Sequence, residues 1–587
     1  MVMTTPEYEV SAPDGLRRAL RDAVDQLGAP DGFTPHLERP GDPSHGDLTT
    51  NAALVLAGPL RRPPREIAME LADMLPTGQS GIAAVEVAGP GFLNIRLDDD
   101  VLWEGLAGVV PAGSDWGRSA AASSERVNVE FVSANPTGPL HVAHGRGAAI
   151  GDAVASLLEW TGHSVEREYY VNDAGRQIEL LGRSVDARMR QARGETVEVP
   201  EGGYQGEYLS AVASRIAAES GENSRPGTES PAGNAAEPAE SLGDSGRIAD
   251  LAARAAAILR DEQADDLDRF GVRFDNWFAE SRLFEGGEVP ELLARLELSG
   301  SAYRDDEALW LRTSDFGDEK DRVLVKRDGS HTYFVSDIAY HIDKRTRQFD
   351  RSIDVWGADH HGHVLRMRAA LEAAGVDPEF LEVIIIQLVT VMRGGEEVKM
   401  SKRAGTFVTL RELLDETGPD VARYFFLMRR AEVPMAFDLD LALDTSEKNP
   451  VYKVQYAHAR MCRIFERADL DPDRHAVPMR EFAALELPSE REVAKAVLRF
   501  PEVVASAARA RAPYQVCQYL EQLAGAVNGW YHEGNLDPEK RVLAEGPARE
   551  ARLGLANAVR VTLRQGLRLL GLSAPERMIR ELEEEGA

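Results

Sequence analysis

Cysteine is nearly missing: Cys462 and Cys517 are the only two in 587 residues, too few for a disulfide framework or a cysteine-rich zinc site. No apolar run reaches the length that spans a bilayer, so no transmembrane helix is expected. The opening stretch MVMTTPEYEVSAPDG has neither a basic start nor an apolar centre, and no secretory signal is expected from it. Positive charge is also short: 67 Lys and Arg face 97 Asp and Glu, a net charge of −30. A nucleic-acid partner normally needs a basic footprint, and a solvated acidic surface is the plainer reading of this balance. An acidic mean still allows local basic tracks, and Arg17, Arg18, Arg21, Arg61, Arg62 and Arg65 form one candidate. These absences predict a cytoplasmic chain that does not enter a membrane. At 43% hydrophobic content, its length supports three or four domains.

The stretch that organises the chain is 127–162, VNVEFVSANPTGPLHVAHGRGAAIGDAVASLLEWTG. VNVEFVSA alternates and is β-branched, the pattern of a strand. Asn135, Pro136, Gly138 and Pro139 break it, and small apolar residues then recur at helical spacing from His144 to Gly162. A strand, loop and helix start is where an α/β sheet holds phosphates. His141 and His144, three apart at the helix start, are placed to face an anion that the helix dipole also attracts. Gly145, Gly147 and Gly151 resemble a dinucleotide-binding GxGxxG with the last glycine one position late, a weak pattern by itself. A packed βα unit with capping histidines is the bland reading. Far downstream, Glu397-Val398-Lys399-Met400-Ser401-Lys402-Arg403-Ala404-Gly405 reads as a loop whose lysines can follow a moving triphosphate.

Together, HVAH and KMSKR resemble the paired nucleotide motifs of class I aminoacyl-tRNA synthetases. VEFVSANPTGPLHVAHGRGA, HGDLTTNAAL, GPGFLNIRL, YQGEYL, FDNWFAES and LLGLSAPERM narrow the resemblance to the arginyl-tRNA synthetases, over about residues 45 to 578. The resemblance implies an α/β fold. Its centre is a class I, Rossmann-like parallel-sheet catalytic domain over 121–415, with an inserted segment at about 170–300. An N-terminal α+β tRNA-binding domain is implied over 1–120 and an all-α anticodon-binding bundle over 416–587. Residues 219–245 lack the apolar content to pack and are expected to be disordered.

The implied reaction is ATP-dependent activation of L-arginine to an adenylate, followed by transfer to tRNA(Arg) with release of AMP and pyrophosphate. Formation of the adenylate is expected to need bound tRNA. The alternative reading is a non-catalytic tRNA-binding paralogue, whose support is Ala143, where the family usually has glycine in its HxGH motif. A methyl there bears on the approach to adenine.

His141, His144, Lys399 and Lys402 are the implied catalytic residues, and Glu130, Asn135, Tyr333 and Asp337 the arginine-binding ones. Tyr333 and Asp337 are four apart, so a helix starting near Tyr333 presents both on one side. Asp337 also reads as a helix N-cap. Thr332–Val335, ALWLR (308–312) and RVLVK (322–326) read as strands returning to the sheet.

Implied ATP-binding residues are Gly145, Gly357, Asp359, His363, Met400 and Ser401. The run Gly357-Ala358-Asp359-His360-His361-Gly362-His363 also invites a metal reading, but glycine and a carboxylate after a strand suit a ribose. No protein-bound metal is expected, since Mg²⁺ accompanies ATP. Phe92 and Asn94, if exposed, and Tyr456 and Arg460 are candidate tRNA contacts by stacking and hydrogen bonding. The partners expected are tRNA(Arg), arginine and ATP, for a monomer. The acidic excess further predicts adaptation to a high-salt interior. Activity should then depend on salt in a KCl titration, and a flat profile would count against the idea.

Overall fold

A computed structural model describes residues 12–119, 124–219, 244–398 and 408–578. Two compact units emerge, one from 120–444 and one from 1–119 with 445–587.

In the 120–444 unit the apolar runs do form a parallel sheet. Its strands are β1 (Arg126–Glu130), β2 (Ser164–Val171), β3 (Asn276–Ala279), β4 (Arg351–Gly357) and β5 (Leu381–Ile386). The order is β5-β4-β1-β2-β3, with every neighbouring pair parallel. Strand order reverses between β1 and β4, so the connections leaving those two strands diverge. That divergence opens a crevice beyond their carboxyl ends, the usual ligand position in such a sheet.

Helix α1 (Val142–Trp160) follows β1 and is buried along almost its whole length, as its continuous apolar and small-residue composition requires. Gly151 shows how close the packing is: a Cβ there would lie 2.2 Å from the Phe131 ring. Helix α2 (Tyr333–Thr346) precedes β4. Between β2 and β3, helices Arg176–Ala192, Tyr208–Glu219 and Asp244–Arg269 pack around Leu181, Val185, Leu209, Ile216, Ala255 and Leu259.

Several expectations change here. Thr332–Val335 is not a strand, because α2 already begins at Tyr333. The strands Ala302–Asp305, Ala308–Leu311 and Arg322–Val325 pair antiparallel among themselves in a separate sheet, so they do not return to the central one. Residues 219, 244 and 245 lie in helices, and the rest of the expected disordered insertion, 220–243, falls outside the described residues. The unit also continues past 415, through helices Leu410–Thr417 and Pro419–Leu427 and the strand Met435–Asp438. That strand pairs parallel with Val389–Arg393.

In the other unit, strands Leu48–Thr50, Ile82–Ala88 and Phe92–Leu97 form an antiparallel sheet. Helices Asp14–Gln26, Ala52–Leu60 and Pro64–Met74 share a core of Leu16, Leu20, Val24, Leu56, Ile67 and Leu71 with it. Leu48–Thr50 is the edge strand of this sheet, paired with Phe92–Leu97. The helical remainder includes α3 (Pro450–Ala468), α4 (Tyr514–Leu536) and the deeply buried α5 (Arg549–Leu569). Arg39 pairs with Glu502 at 2.8 Å and Lys495 with Asp47 at 2.8 Å, tying the α+β part to the helices.

Gly151→Ala drives a methyl into Phe131 and is expected to cost about 1–3 kcal/mol. Denaturant unfolding measures it, and an unchanged midpoint would overturn the packing assignment.

Candidate functional site

The chain leaves β1 through a strained turn. Val132 and Ser133 have φ of 68° and 39°, a left-handed conformation that costs about 1–3 kcal/mol where a non-glycine residue must hold it. Neighbours over-determine it. The Ser133 hydroxyl donates to Glu130 Oε1 at 2.9 Å and accepts the Tyr170 N–H at 3.1 Å. The Tyr169 hydroxyl accepts the Ala134 N–H at 3.0 Å. Gln263 Nε2 donates to the carbonyls of Asn135 and Gly138 at 3.1 and 2.8 Å.

This turn delivers His141 to the start of α1. His141 is the N-cap, its N–H donates to His144 Nδ1 at 3.3 Å, and the two rings stack with centroids 3.7 Å apart. Both are half-buried. The same segment accepts a return pass of the chain. Leu410 N–H donates to Leu140 O at 2.8 Å and Val142 N–H to Val408 O at 3.3 Å. Val398 N–H donates to Val391 O at 2.9 Å. The expected catalytic and ATP-binding residues Lys399, Met400, Ser401 and Lys402 lie between these anchors, outside the described residues. Deeper down, the buried Arg146 donates to the carbonyls of Gln387, Arg430 and Val433 at 2.9, 2.8 and 3.0 Å.

At the crevice, α2 presents Tyr333, 56% exposed, and Asp337 one turn later. Asp337 therefore lies inside the helix rather than at its N-cap, which is Thr332. Its carboxylate meets His363 Nε2 at 3.2 Å. Glu280, after β3, is only 5% exposed. Burial raises its pKa, the Ser336 hydroxyl eases it, and Asp337 and Asp173 raise it again. Asp173 itself accepts both the N–H and the hydroxyl of Ser281, at 3.0 and 2.8 Å. The buried Tyr170 hydroxyl lies against Glu280, and the buried Asn172 Oδ1 has no protein hydrogen-bond partner among the described residues. Such a pocket is anionic with spare acceptors, suited to a planar cation rich in donors.

Beneath it runs a buried charge layer. Asp354 on β4, Glu130 on β1, Glu168 on β2 and Asn276 on β3 are register partners across four strands. Against this row stand His341 and Lys344 of α2 and Arg347, its C-cap. Lys344 Nζ donates to Glu130 Oε2 at 2.9 Å, Ser352 Oγ at 3.0 Å and Asp354 Oδ1 at 3.1 Å. Arg347 holds Glu168 at 2.6 and 2.8 Å. His341 Nε2 meets Asp354 Oδ2 at 2.9 Å and Nδ1 meets the Asp337 carbonyl at 2.7 Å. Burial alone would raise Asp354, yet Lys344 and His341 hold it far below the usual carboxylate range. Both partners of His341 are thus acceptors, so both ring nitrogens must donate and the ring is an imidazolium.

In the other unit a cleft of about 770 Å³ is lined by Tyr456, Arg460, Arg463, Arg467, Tyr531 and Arg577, with Glu466 and Glu576. The Arg460 guanidinium stacks between the rings of Tyr456 and Tyr531, 4.7 and 4.6 Å from their centroids. This is a basic cleft with aromatic faces, made of residues other than the Arg17 to Arg65 candidate track.

The family described as "tRNA synthetases class I (R), catalytic domain" matches residues 112–424. "Arginyl tRNA synthetase N terminal domain" matches 14–97 and "DALR anticodon binding domain" 454–578. The arginine–tRNA ligase of Halorhodospira halophila is 47% identical over 92% of this chain and 94% of its own length. That of Bacillus subtilis is 42% identical over 96% and 99%. The solved Thermus thermophilus arginyl-tRNA synthetase superposes with a TM-score of 0.74 at 25% identity, over 97% of this chain and all of that one. The chain belongs to the arginyl-tRNA synthetase family.

The family motifs fall unevenly on the structure. His141, His144, Tyr333 and Asp337 all belong to the 120–444 unit, at the starts of α1 and α2. Asn135 is half-buried and donates to Gln177 Oε1 at 2.5 Å. Glu130 is 8% exposed and both its oxygens have internal partners, Lys344 and Ser133. Gly357 ends β4, a Cβ on it would lie 2.7 Å from Asp359 Oδ1, and Asp359 is exposed. The dinucleotide-like reading of Gly145 needs correction: it is buried, and a Cβ there would meet Leu410 at 2.8 Å and Phe426 at 3.1 Å. Its glycine identity follows from helix packing.

Asn94 needs correction too, since it is 7% exposed and accepts the Thr49 hydroxyl at 3.1 Å. Phe92 is half-buried. Among the described residues no group of three His, Cys, Asp or Glu is placed to hold a metal. Glu280, Tyr170 and Asp173 went unassigned at sequence level. The motifs YYVNDAG and FDNWFAES were visible, but only the pairing of β2 with β3 brings them side by side.

Burial lowers the His341 pKa and Lys344 opposes its charge, but Asp354 wins and holds it above the usual 6.5. A raised folded pKa contributes stability in full below the unfolded value and loses it as pH rises through the folded one. The melting temperature should therefore fall as pH rises on the alkaline side of the unfolded value of about 6.5, and His341→Gln should remove that slope. Parallel pH profiles of the two proteins would refute the imidazolium.

Proposed function

We propose that this chain attaches L-arginine to tRNA(Arg) in two steps at the crevice beyond β1 and β4. The observation that carries it is the anionic cluster made by half-buried Asp337 and buried Glu280 in the same unit as the His141–His144 pair. Arginine's planar guanidinium, with five donors, is the amino-acid side chain that such acceptors select over the point charge of lysine. Tyr333 supplies an exposed hydroxyl on the Asp337 side of α2. Asn135 joins it from the loop after β1, and Glu130 shapes the same end of that strand.

Activation needs no general base, because the arginine carboxylate is already a nucleophile. One of its oxygens bonds to the α-phosphorus of ATP as the bond to pyrophosphate breaks. Catalysis is then alignment and charge stabilisation. His141 and His144, at the positive end of α1, receive the phosphates. Lys399 and Lys402 neutralise the departing pyrophosphate, supported by the anchoring of Val408 to Val142 beside the histidines. Gly357, Asp359 and His363, at the carboxyl end of β4, take the adenosine together with Met400 and Ser401. Mg²⁺ arrives bound to the triphosphate and adds charge neutralisation. The terminal hydroxyl of tRNA next attacks the arginyl carbonyl and AMP leaves.

Tyr456 and Arg460, with Tyr531, form the face on which anticodon bases stack. Phe92 is a further contact surface for tRNA. A monomer working in the cytoplasm with ATP completes this reading.

ATP–pyrophosphate exchange, run with each amino acid with and without total tRNA, tests it. Exchange is expected with arginine alone among them, and only when tRNA is present. Exchange with another amino acid would overturn the substrate. Bound tRNA with no exchange at all would overturn the catalytic assignment.

A further inference from the structure

The arginine reading uses Glu130 and Asp337, which sit on different elements, β1 and α2. Pocket geometry to within a fraction of an ångström requires something that holds the two elements in register. Backbone pairing cannot do it, because α2 is not in the sheet.

Lys344 is fully buried, two helical turns beyond Asp337 on α2. Its three acceptors, Glu130 Oε2, Ser352 Oγ and Asp354 Oδ1, lie at 2.9, 3.0 and 3.1 Å. They sit on β1 and β4, the two strands between which the sheet order reverses. The Tyr340 ring covers the ammonium at 4.3 Å. Asp354 then passes the constraint on, because His341 bridges its Oδ2 to the Asp337 carbonyl at 2.9 and 2.7 Å. Glu130 in turn holds the strained Ser133 through its other oxygen, at 2.9 Å. One ammonium is therefore the junction of two chains of contact, one ending at Glu130 and Ser133 and the other at Asp337.

We propose that Lys344 is the positioning residue of the arginine site, locking the end of β1 and the first turns of α2 into the spacing that the guanidinium and backbone of arginine require. It touches no substrate. The proposal rests on the assignment of Asp337 and Glu130 to arginine, and the experiment separates the two.

Lys344→Met alone leaves Glu130 without its cation and Asp354 with His341 only, and an unpaired buried charge can unfold a protein. The double change Lys344→Met with Asp354→Asn removes one charge of each sign and keeps both shapes. Full-length wild type, the double variant and Asp337→Asn are compared by tRNA-dependent ATP–pyrophosphate exchange and by melting temperature. The double variant is expected to melt near wild type, to raise the KM for arginine about tenfold or more, and to leave the KM for ATP within about twofold. Lys344 is merely structural if the double variant keeps the wild-type KM for arginine. The proposal also falls if the KM values for arginine and ATP rise together. If Asp337→Asn itself leaves the KM for arginine unchanged, the assignment of the pocket has failed rather than the role of Lys344.

Discussion

Three carboxyl groups on one level of a parallel sheet cannot stand side by side in a dry interior unless cations answer them. Asp354, Glu130 and Glu168 occupy successive strands in register, and α2 with its C-cap answers with His341, Lys344 and Arg347. The spacing of those cations, three and three apart with His341 first, fits a helix laid across strands about 4.8 Å apart. Breaking a buried pair of this kind costs about 3–5 kcal/mol, more than many surface contacts together. The position of α2, and with it Tyr333 and Asp337, follows from that layer.

The second constraint is the turn after β1. Val132 and Ser133 hold a conformation that neither residue prefers, and Tyr169, Gln263 and Glu130 keep them there. Strain of this kind persists only where surroundings over-determine it. It aims the chain so that His141 caps α1, with the backbone after residue 407 bonded beside it. Val408 and Leu410 are thereby bonded to Val142 and Leu140 beside the histidine pair, which joins two segments far apart in sequence.

The acidic mean and the basic cleft are compatible because recognition is local. Four arginines and two tyrosines line one cleft while the chain as a whole carries −30. A Debye length of about 10 Å at ordinary ionic strength lets such a patch keep its own potential independently of charges elsewhere. Ion pairs such as Arg39 with Glu502 do a different job, tying the α+β part to the helices within its own unit.

Local patterning was enough for the strand at 126–130 and the helix that follows it, because their periodicity is set by which face is buried. The two nucleotide motifs were legible for a similar reason: their residue types and order carry the chemistry. Tertiary structure alone decided what depends on pairing between distant segments. ALWLR and RVLVK look like any buried strands, and only their antiparallel partners place them outside the central sheet. Asn94 reads as a free surface amide until Thr49 covers it, and Gly145 as a phosphate-loop glycine until Leu410 and Phe426 fill its side. Lys344 reads as an ordinary last-turn helix cation; its burial comes from the register of β1, β2 and β4. Sequence determines which local structures and reactive groups a chain possesses, because those follow from neighbours a few residues away. Which carboxylate meets which cation is settled by the crossing of strand and helix, where no local period reaches.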